Sequence, residues 1–425
     1  MAMAADVPKD SFRLSMLIYD TRYRSYTIQI VVLVLFALAV AWLLNNTVQN
    51  LEARGKQFNF AFLWQRAGYD IGQQLVPYTN DSTHFRALLV GLMNTLVVAF
   101  FGCILATILG VLIGVLRLSK NWLVSRLMTV YVEMFRNVPL LLWILLSYVL
   151  LSETTPAPNA FRITDEMAAA GEAPAASMIL WDSLAITNRG TNIPSPLFER
   201  GLGSADLGFM TLNLTFLALV LVIAASVFVN RRILVSARAT QEDTGVRPVT
   251  WWKSLLVLFA PTIALLIAMG FHLEVPELRG FNFQGGILVA HSFTALLLAL
   301  TLYTAAFIAE IVRAGIQAIS RGQSEAAFAL GLRPGRTMNL IILPQALRVI
   351  IPPLISQFLN LTKNTSLGIA VSYLDLRGTL GGITLNQTGR ELECMLLMML
   401  IYLSISLIIS AVMNMYNSSV QLKAR

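Results

Sequence analysis

Between Ser320 and Pro344 a polar stretch separates two long apolar runs, and its residue types suit docking better than spacing. Ser320 followed by Gln323 has the spacing of a capping box, so a short helix should begin there. Glu325, Ala326, Ala327 and Ala329 favour helix and leave a face of small side chains. Gly331 stands where a helix needs a left-handed residue in order to stop. Pro334 and Gly335 then turn the chain, and a second short helix leads to Leu343 and Pro344. A helix–turn–helix of this kind, projecting from a membrane, fits a groove on a partner. The alternative is an ordinary amphipathic loop between spans.

Other polar groups interrupt the apolar runs themselves. A charge inside a bilayer costs roughly 2.5–3.5 kcal/mol on insertion scales, so each one needs a reason. Glu310 and Arg313, three apart on one helix face, are either a structural pair near the helix end or part of a gate. Lys363, Asn364, Thr365 and Ser366 break a run that already holds Pro352 and Pro353. A helix broken in a membrane presents free N–H groups and a positive dipole end at mid-depth, which accepts a carboxylate. The other reading is that these residues only satisfy backbone groups and cap the next helix.

These residues must be held by membrane helices. The 425 residues are 56% hydrophobic and 13% charged, with mean hydropathy +0.68. No water-soluble domain carries that much apolar sequence without polar spacing. Apolar runs at 26–46, 87–116, 128–151, 209–229, 253–271, 286–314, 346–372 and 392–416 give about eight spans. The net charge of +8 does not point to nucleic acid, because the bases cluster in alternate connecting segments. One set holds Lys9, Arg13, Arg22, Arg24, Arg117, Lys120 and Arg126. It continues with Arg231, Arg232, Arg238, Arg247, Lys253, Arg313, Arg321, Arg333, Arg336, Lys423 and Arg425. The longest segment of the other set, 153–208, carries Glu153, Asp165, Glu166, Glu172, Asp182, Glu199 and Asp206. Both termini and the 320–344 stretch therefore fall on the cytoplasmic side.

The segment 153–208, rich in Pro, Gly, Ala and Asn, reads as an outward loop ordered only in part. The region 47–85 is a second outward loop, with Trp64 and Tyr69 as candidate interfacial anchors. Cys103 and Cys394 lie in or beside apolar runs and read as small buried hydrophobes. His84, His272 and His291 have no metal-ligand spacing, and no removable signal peptide is expected. The chain has no Gly-x4-Gly-Lys-Ser/Thr phosphate loop, so ATP-driven work by that route needs another polypeptide.

The 320–344 stretch resembles the EAA loop of ABC-importer permeases. That pattern is Glu-Ala-Ala, three residues, Gly, nine residues, Ile, one residue, Leu-Pro. It runs through Glu325, Ala326, Ala327, Gly331, Ile341, Leu343 and Pro344 without a gap. Other stretches resemble the polar amino-acid branch of these permeases: Gly91 to Leu96, Tyr131 to Leu141, Tyr303 to Arg313, and Lys363 to Leu367. In the second of these Val138 replaces the usual Thr. The long, split form is similar to permeases of general L-amino-acid and of glutamate/glutamine/aspartate/asparagine importers.

The resemblance implies an all-α polytopic membrane protein with a type-I importer permease core and an inserted helix pair. The expected division is a cytoplasmic segment 1–25, then an extra first helix and periplasmic loop over 26–85. Next come the first half of the core (86–152), an insertion (153–284), and the second half (285–425) with the coupling loop at 315–345. It further implies a non-catalytic, multi-pass permease subunit in a bacterial inner membrane, without a cofactor of its own. ATP would be bound by a cytoplasmic ABC ATPase dimer, contacted through Gln323, Glu325, Ala326, Ala327, Gly331, Leu343 and Pro344. A second, related permease chain and a periplasmic amino-acid-binding protein would complete the system. The expected substrates are polar L-amino acids, either acidic ones and their amides or a broad range.

A zwitterionic amino acid needs an anion for its ammonium and a donor for its carboxylate. Asp375 and Arg377, after Ser372 and Tyr373, supply both; the alternative is a salt bridge at the outer mouth. The substrate-pathway candidates are therefore Asn364, Thr365, Ser366, Ser372, Asp375, Arg377, Tyr303 and Glu310. Arg136 and Asn137 would help shape the cytoplasmic entrance. The rival is an ion-coupled secondary amino-acid transporter. It would carry acidic residues deep in several helices, whereas mid-helix carboxylates are nearly absent here.

Overall fold

The structure is a computed structural model that describes residues 16–53, 55, 57–163, 169, 173–206 and 211–420. Lys9, Arg13, Asp165, Glu166, Glu172, Lys423 and Arg425, used above to assign sides, lie outside those residues, as do the side chains of Arg22 and Asp206. The chain divides into two units between Phe62 and Leu63. The first unit is dominated by α1 (Thr21–Ala53), 33 residues long and apolar on every side, as a span solvated by lipid should be.

The second unit holds the remaining spans. They are α2 (His84–Arg117), the bent pair α3 (Trp122–Asn137) and α4 (Leu140–Thr154), α5 (Leu214–Thr244) and α6 (Trp251–Ala268). After α7 (His291–Gln317) come a short helix α8 (Arg321–Ala329), the long α9 (Leu343–Asn364) and α10 (Glu391–Val420). Among the described residues seven helices are long and apolar enough to cross a membrane, or eight if the bent pair counts as one.

The bent pair corrects one expectation. The run 128–151 reads as a single span, yet its two halves meet at 106°. The cause is Pro139, which lacks an N–H and pushes the residue before it out of the helical region. Val138 accordingly lies at φ −105, ψ 135. Packing holds the corner: the Phe135 and Trp143 rings stack at 4.3 Å, and Tyr131 Oη donates to Leu302 O at 2.7 Å.

The core lies where α2 and α7 pack along each other, with α4 and α9 alongside. Without an apolar-to-water gradient in lipid, such helices associate by close packing of small residues. Gly114 of α2 meets that need, since a Cβ there would sit 2.7 Å from Ala309 O and 2.9 Å from Val312 Cβ. Val98, Ala106, Leu296, Leu300 and Ile308 are wholly buried at this seam.

The segment 153–284 is more ordered, among the described residues, than its composition implies. Short antiparallel strands form within it: β1 (Ala185–Thr187) pairs with β2 (Gly190–Ile193), and β3 (Ser195–Phe198) and β4 (Ser204–Asp206) follow. β5 (Thr211–Asn213) pairs with β4, while β6 (Phe271–Glu274) returns to β3 in register Ser195↔Glu274. β7 (Glu277–Arg279) and β8 (Asn282–Gln284) make a hairpin, and β9 (Ile287–Val289) joins β2. β3 and β6 thus close the insertion on itself, and β9 returns the chain to α7. His291 Nε2 shares a 2.6 Å hydrogen bond with Thr187 O at that junction.

Candidate coupling loop and pathway residues

The candidate coupling loop, 320–344, begins as a helix and ends as one. Ser320 takes the N-cap position of α8 with extended dihedrals (φ −62, ψ 142), but its hydroxyl makes no capping bond. The expected capping box is therefore absent: the Gln323 carboxamide turns instead to accept from Gln345 Nε2 of α9 at 3.5 Å. Gly331 is left-handed (φ +77), and Leu332 N–H returns to Ala327 O, which closes the helix as expected. A turn of helix at Pro334–Thr337 and a π-turn at Met338–Ile342 lead into α9.

Within this loop Ala327 is buried, while Gln323, Glu325, Ala326, Gly331 and Leu343 are exposed and Pro344 is half-buried. Four apolar side chains not singled out from sequence, Phe328, Leu330, Met338 and Leu340, are also exposed; Leu330 is 81% accessible. Each lies beside a polar or small neighbour in the sequence, the signal that could have found them. Exposed apolar side chains around a buried small-residue turn make a surface fit for a partner's groove.

Where α7 approaches this loop, Glu310 is held by two arginines. Arg117 Nη1 of α2 donates to Glu310 Oε2 at 2.5 Å, and Arg313 donates to both carboxylate oxygens. Arg313 also reaches Gln317 Oε1 at 2.6 Å. Sequence spacing found the Arg313 partner but not Arg117, which is distant in the chain. The Tyr303 ring lies tilted against Phe307 with centroids 5.0 Å apart, Arg136 lies over the same Phe307 ring at 5.3 Å, and Asn137 donates to Glu133.

Of the other pathway candidates, Thr365 and Asp375 both meet the Tyr402 hydroxyl, while Ser372 and Arg377 are exposed. The α-helix does end within Lys363–Ser366, but without freeing its N–H groups: α9 passes into a 3-10 turn at Thr365–Val371, with the Thr365 N–H paired to Leu361 O and Lys363 O. Local bonds accompany this, since Thr365 Oγ1 donates to Thr362 O and Ser366 Oγ to Lys363 O. The chain turns again at Ser372, exposed and left-handed at φ +59. Asn364 is half-buried and Thr365 is buried. No free N–H cluster therefore stands at 363–366.

Asp375 is fully buried and its carboxylate is engaged: it accepts from Gly378 N–H at 2.9 Å and from Tyr402 Oη at 3.1 Å. Arg377 points into the open, so the two do not present a joint zwitterion site. Leu376 N–H donates to Thr95 Oγ1 of α2, and Tyr373 Oη donates to Asn94 O, which fixes this turn against α2. Beside Tyr373 a cavity of about 250 Å³ opens between Gln73, Gln74, Asn94 and Phe293, with no charged side chain in its lining.

Residues 247–421 match the family model described as "Binding-protein-dependent transport system inner membrane component". The chain is 69% identical over 426 residues to the glutamate/glutamine/aspartate/asparagine transport system permease protein BztB of Rhodobacter capsulatus, covering all of both. It is 42% identical over 417 residues to the general L-amino acid transport system permease protein AapQ of Rhizobium johnstonii, covering 98% of this chain and 96% of that one. A putative amino-acid ABC transporter permease of Escherichia coli, YhdX, is 40% identical over 404 residues, with 95% of each chain covered. Full-length identity at this level makes the chain a member of the amino-acid ABC transporter permease family, within the type-I importer permeases.

Proposed function

We propose that this permease carries acidic amino acids and their amides inward as half of a two-permease pathway. The observation that carries this reading is the 69% relative, named for glutamate, glutamine, aspartate and asparagine, together with an exposed coupling loop of matching pattern. Family membership sets aside the ion-coupled alternative. A separate ABC ATPase dimer engages α8 and the turn after it through Gln323, Glu325, Ala326, Ala327, Gly331, Leu343 and Pro344. A related permease chain fills the other half, and a periplasmic binding protein delivers substrate. The chain itself contributes no catalysis.

Both termini and the coupling loop lie in the cytoplasm of a bacterium, and the core halves are 86–152 and 285–425, with 153–284 inserted between them. The cavity beside Tyr373 lacks charge, so selection for a zwitterion falls to the binding protein and to the partner permease. Closure of the ATPase dimer on ATP moves the paired loops and turns the pathway outward, and hydrolysis resets it.

The test is purification of the tagged chain from its native membrane, with every co-purifying chain identified, followed by labelled glutamate uptake into vesicles. Stoichiometric ATPase and second permease, with uptake that needs ATP and binding protein, is the expected result. A solitary chain that drives uptake without ATP would overturn the proposal. Deleting 320–344 should abolish uptake and leave membrane insertion intact.

A further inference from the structure

The inserted helix pair α5–α6 stands apart from the α2–α7 seam. α6 buries no residue, and α5 buries only Thr215, Ser226 and Ala237. Its two outer ends share one level, because the segment 199–203 ties both. Arg200 N–H donates to Met269 O at 3.1 Å just past α6. Leu214 N–H donates to Gly203 O at 3.0 Å, and Leu202 N–H to Thr215 Oγ1 at 2.9 Å, at the start of α5.

From that level, helical rise sets the depth of everything else at 1.5 Å per residue. Arg231 and Arg232 lie about 26 Å along α5, and Trp251, Trp252 and Lys253 begin α6 about 26 Å from its other end. All five therefore form one tier at the far boundary of a hydrocarbon core of about 30 Å. The 31-residue α5 continues past this tier to Thr244, carrying Arg238, with Arg247 in the turn. The outer strands lie at the opposite end of both helices, as they do for α7, so this tier is on the coupling-loop side.

The five bases of this hairpin are exposed, and among the described residues no ion pair joins any of them to a carboxylate, Glu242 and Asp243 included. Arg232 lies over the Phe228 ring at 5.1 Å and Lys253 over Trp252 at 5.5 Å. Just above the tier, the buried atoms Asn230 Oδ1 and Ser254 Oγ have no hydrogen-bond partner among the described residues. A guanidinium over a phenyl ring and an ammonium over an indole, at the end of exposed apolar helices, match a phosphodiester at headgroup depth.

We propose that the α5–α6 hairpin binds the headgroup of an anionic phospholipid through Arg231, Arg232 and Lys253, with Trp251 and Trp252 against its glycerol and upper acyl region. The inference needs only that the chain spans a membrane, so its failure would leave the transport reading untouched.

The test uses the purified full-length complex in nanodiscs of phosphatidylcholine with or without phosphatidylglycerol. Lipid retained after detergent washing is measured at low and high salt. The wild type should retain phosphatidylglycerol selectively, and less of it at high salt. Replacing three bases, as Arg231→Gln/Arg232→Gln/Lys253→Gln, should weaken that retention on the order of a hundredfold. Arg279→Gln, on the opposite side, should leave it unchanged. Equal retention by the triple variant overturns the proposal, as does loss of a protein subunit with lipid retention intact.

Should the triple variant fail to insert, tryptophan quenching in the unmutated tier decides. Brominated phosphatidylglycerol should quench more than brominated phosphatidylcholine, and Trp251→Phe/Trp252→Phe should abolish the excess. Equal quenching by both lipids refutes the site.

Discussion

Replacing Glu310 separates its two readings, structural pair or gate. The carboxylate accepts from Arg117 and Arg313, and the Arg117 side chain is only 9% exposed against 27% for Glu310. Arg117 Nε has no partner among the described residues, so the guanidinium depends on this carboxylate. A hydrogen bond to a charged partner contributes about 1.5–3 kcal/mol, and orphaning a buried partner costs about 3–5 kcal/mol. Partial exposure moves both figures down. Glu310→Ala should therefore destabilise the protein by about 3 kcal/mol, and Glu310→Gln, which keeps one acceptor, by about 2 kcal/mol.

The assay is a double-mutant cycle with Arg117→Met, read as unfolding of the purified protein in an SDS titration followed by circular dichroism. Removing both charges should cost less than the sum of the single changes, with a coupling of about 1.5–2 kcal/mol. Arg313 loses its bonds to Glu310 equally in the single Glu310 variant and in the double variant, so its share cancels from the coupling. Additivity within about 0.5 kcal/mol would refute the structural pairing. Lost uptake with full stability in Glu310→Gln would favour the gate.

Three other outcomes follow from the same geometry. Gly114→Leu places a side chain against the Ala309 carbonyl, a backbone atom that cannot move aside, and should cost about 3 kcal/mol or more. Gly72→Ala, with nothing within 4 Å, is the matched control and should be near neutral in the same unfolding assay. Leu330→Asp should cut ATPase co-purification at least tenfold, on the order of losing one interface anchor, while membrane insertion is unchanged; full co-purification would exclude Leu330 from the contact. Asp375→Asn should lose about 1–2 kcal/mol by weakening the bonds from Gly378 and Tyr402, yet leave half-saturation for glutamate unchanged; a tenfold rise there would put Asp375 on the substrate.

The span pattern and the helix and turn within 320–344 were legible because both are written in local sequence. An apolar run of about 20 residues has few other uses, and Gly331 and Pro334 act on the backbone where they stand. The features that were missed depend on partners far along the chain. Tyr402 caps Asp375 across 27 residues, Arg117 reaches Glu310 across 193, and β3 finds β6 only after two membrane helices intervene. The bend at Val138–Pro139 was readable in principle, since a proline inside a span disfavours a straight helix. Hydropathy averages over that residue and hides it.

Where a load on the coupling loop enters the core follows from what is tied to what. α8 continues from α7 through Ala318–Ser320 and touches α9 at Gln323–Gln345, so the loop grips both helices at once. α7 is locked to α2 by Gly114 against Ala309 and by Arg117 on Glu310, and a seam packed at 2.7–2.9 Å for an added Cβ does not slide without a clash. α2 and α7 must then move together. The turn after α9 is tied as well, because Tyr373 N–H reaches back across the left-handed Ser372 to Gly368 O at 2.9 Å. We expect a load taken up at α8 to pass through α9 and the turn after it as one body, with Tyr373 and the uncharged cavity beside it at its end.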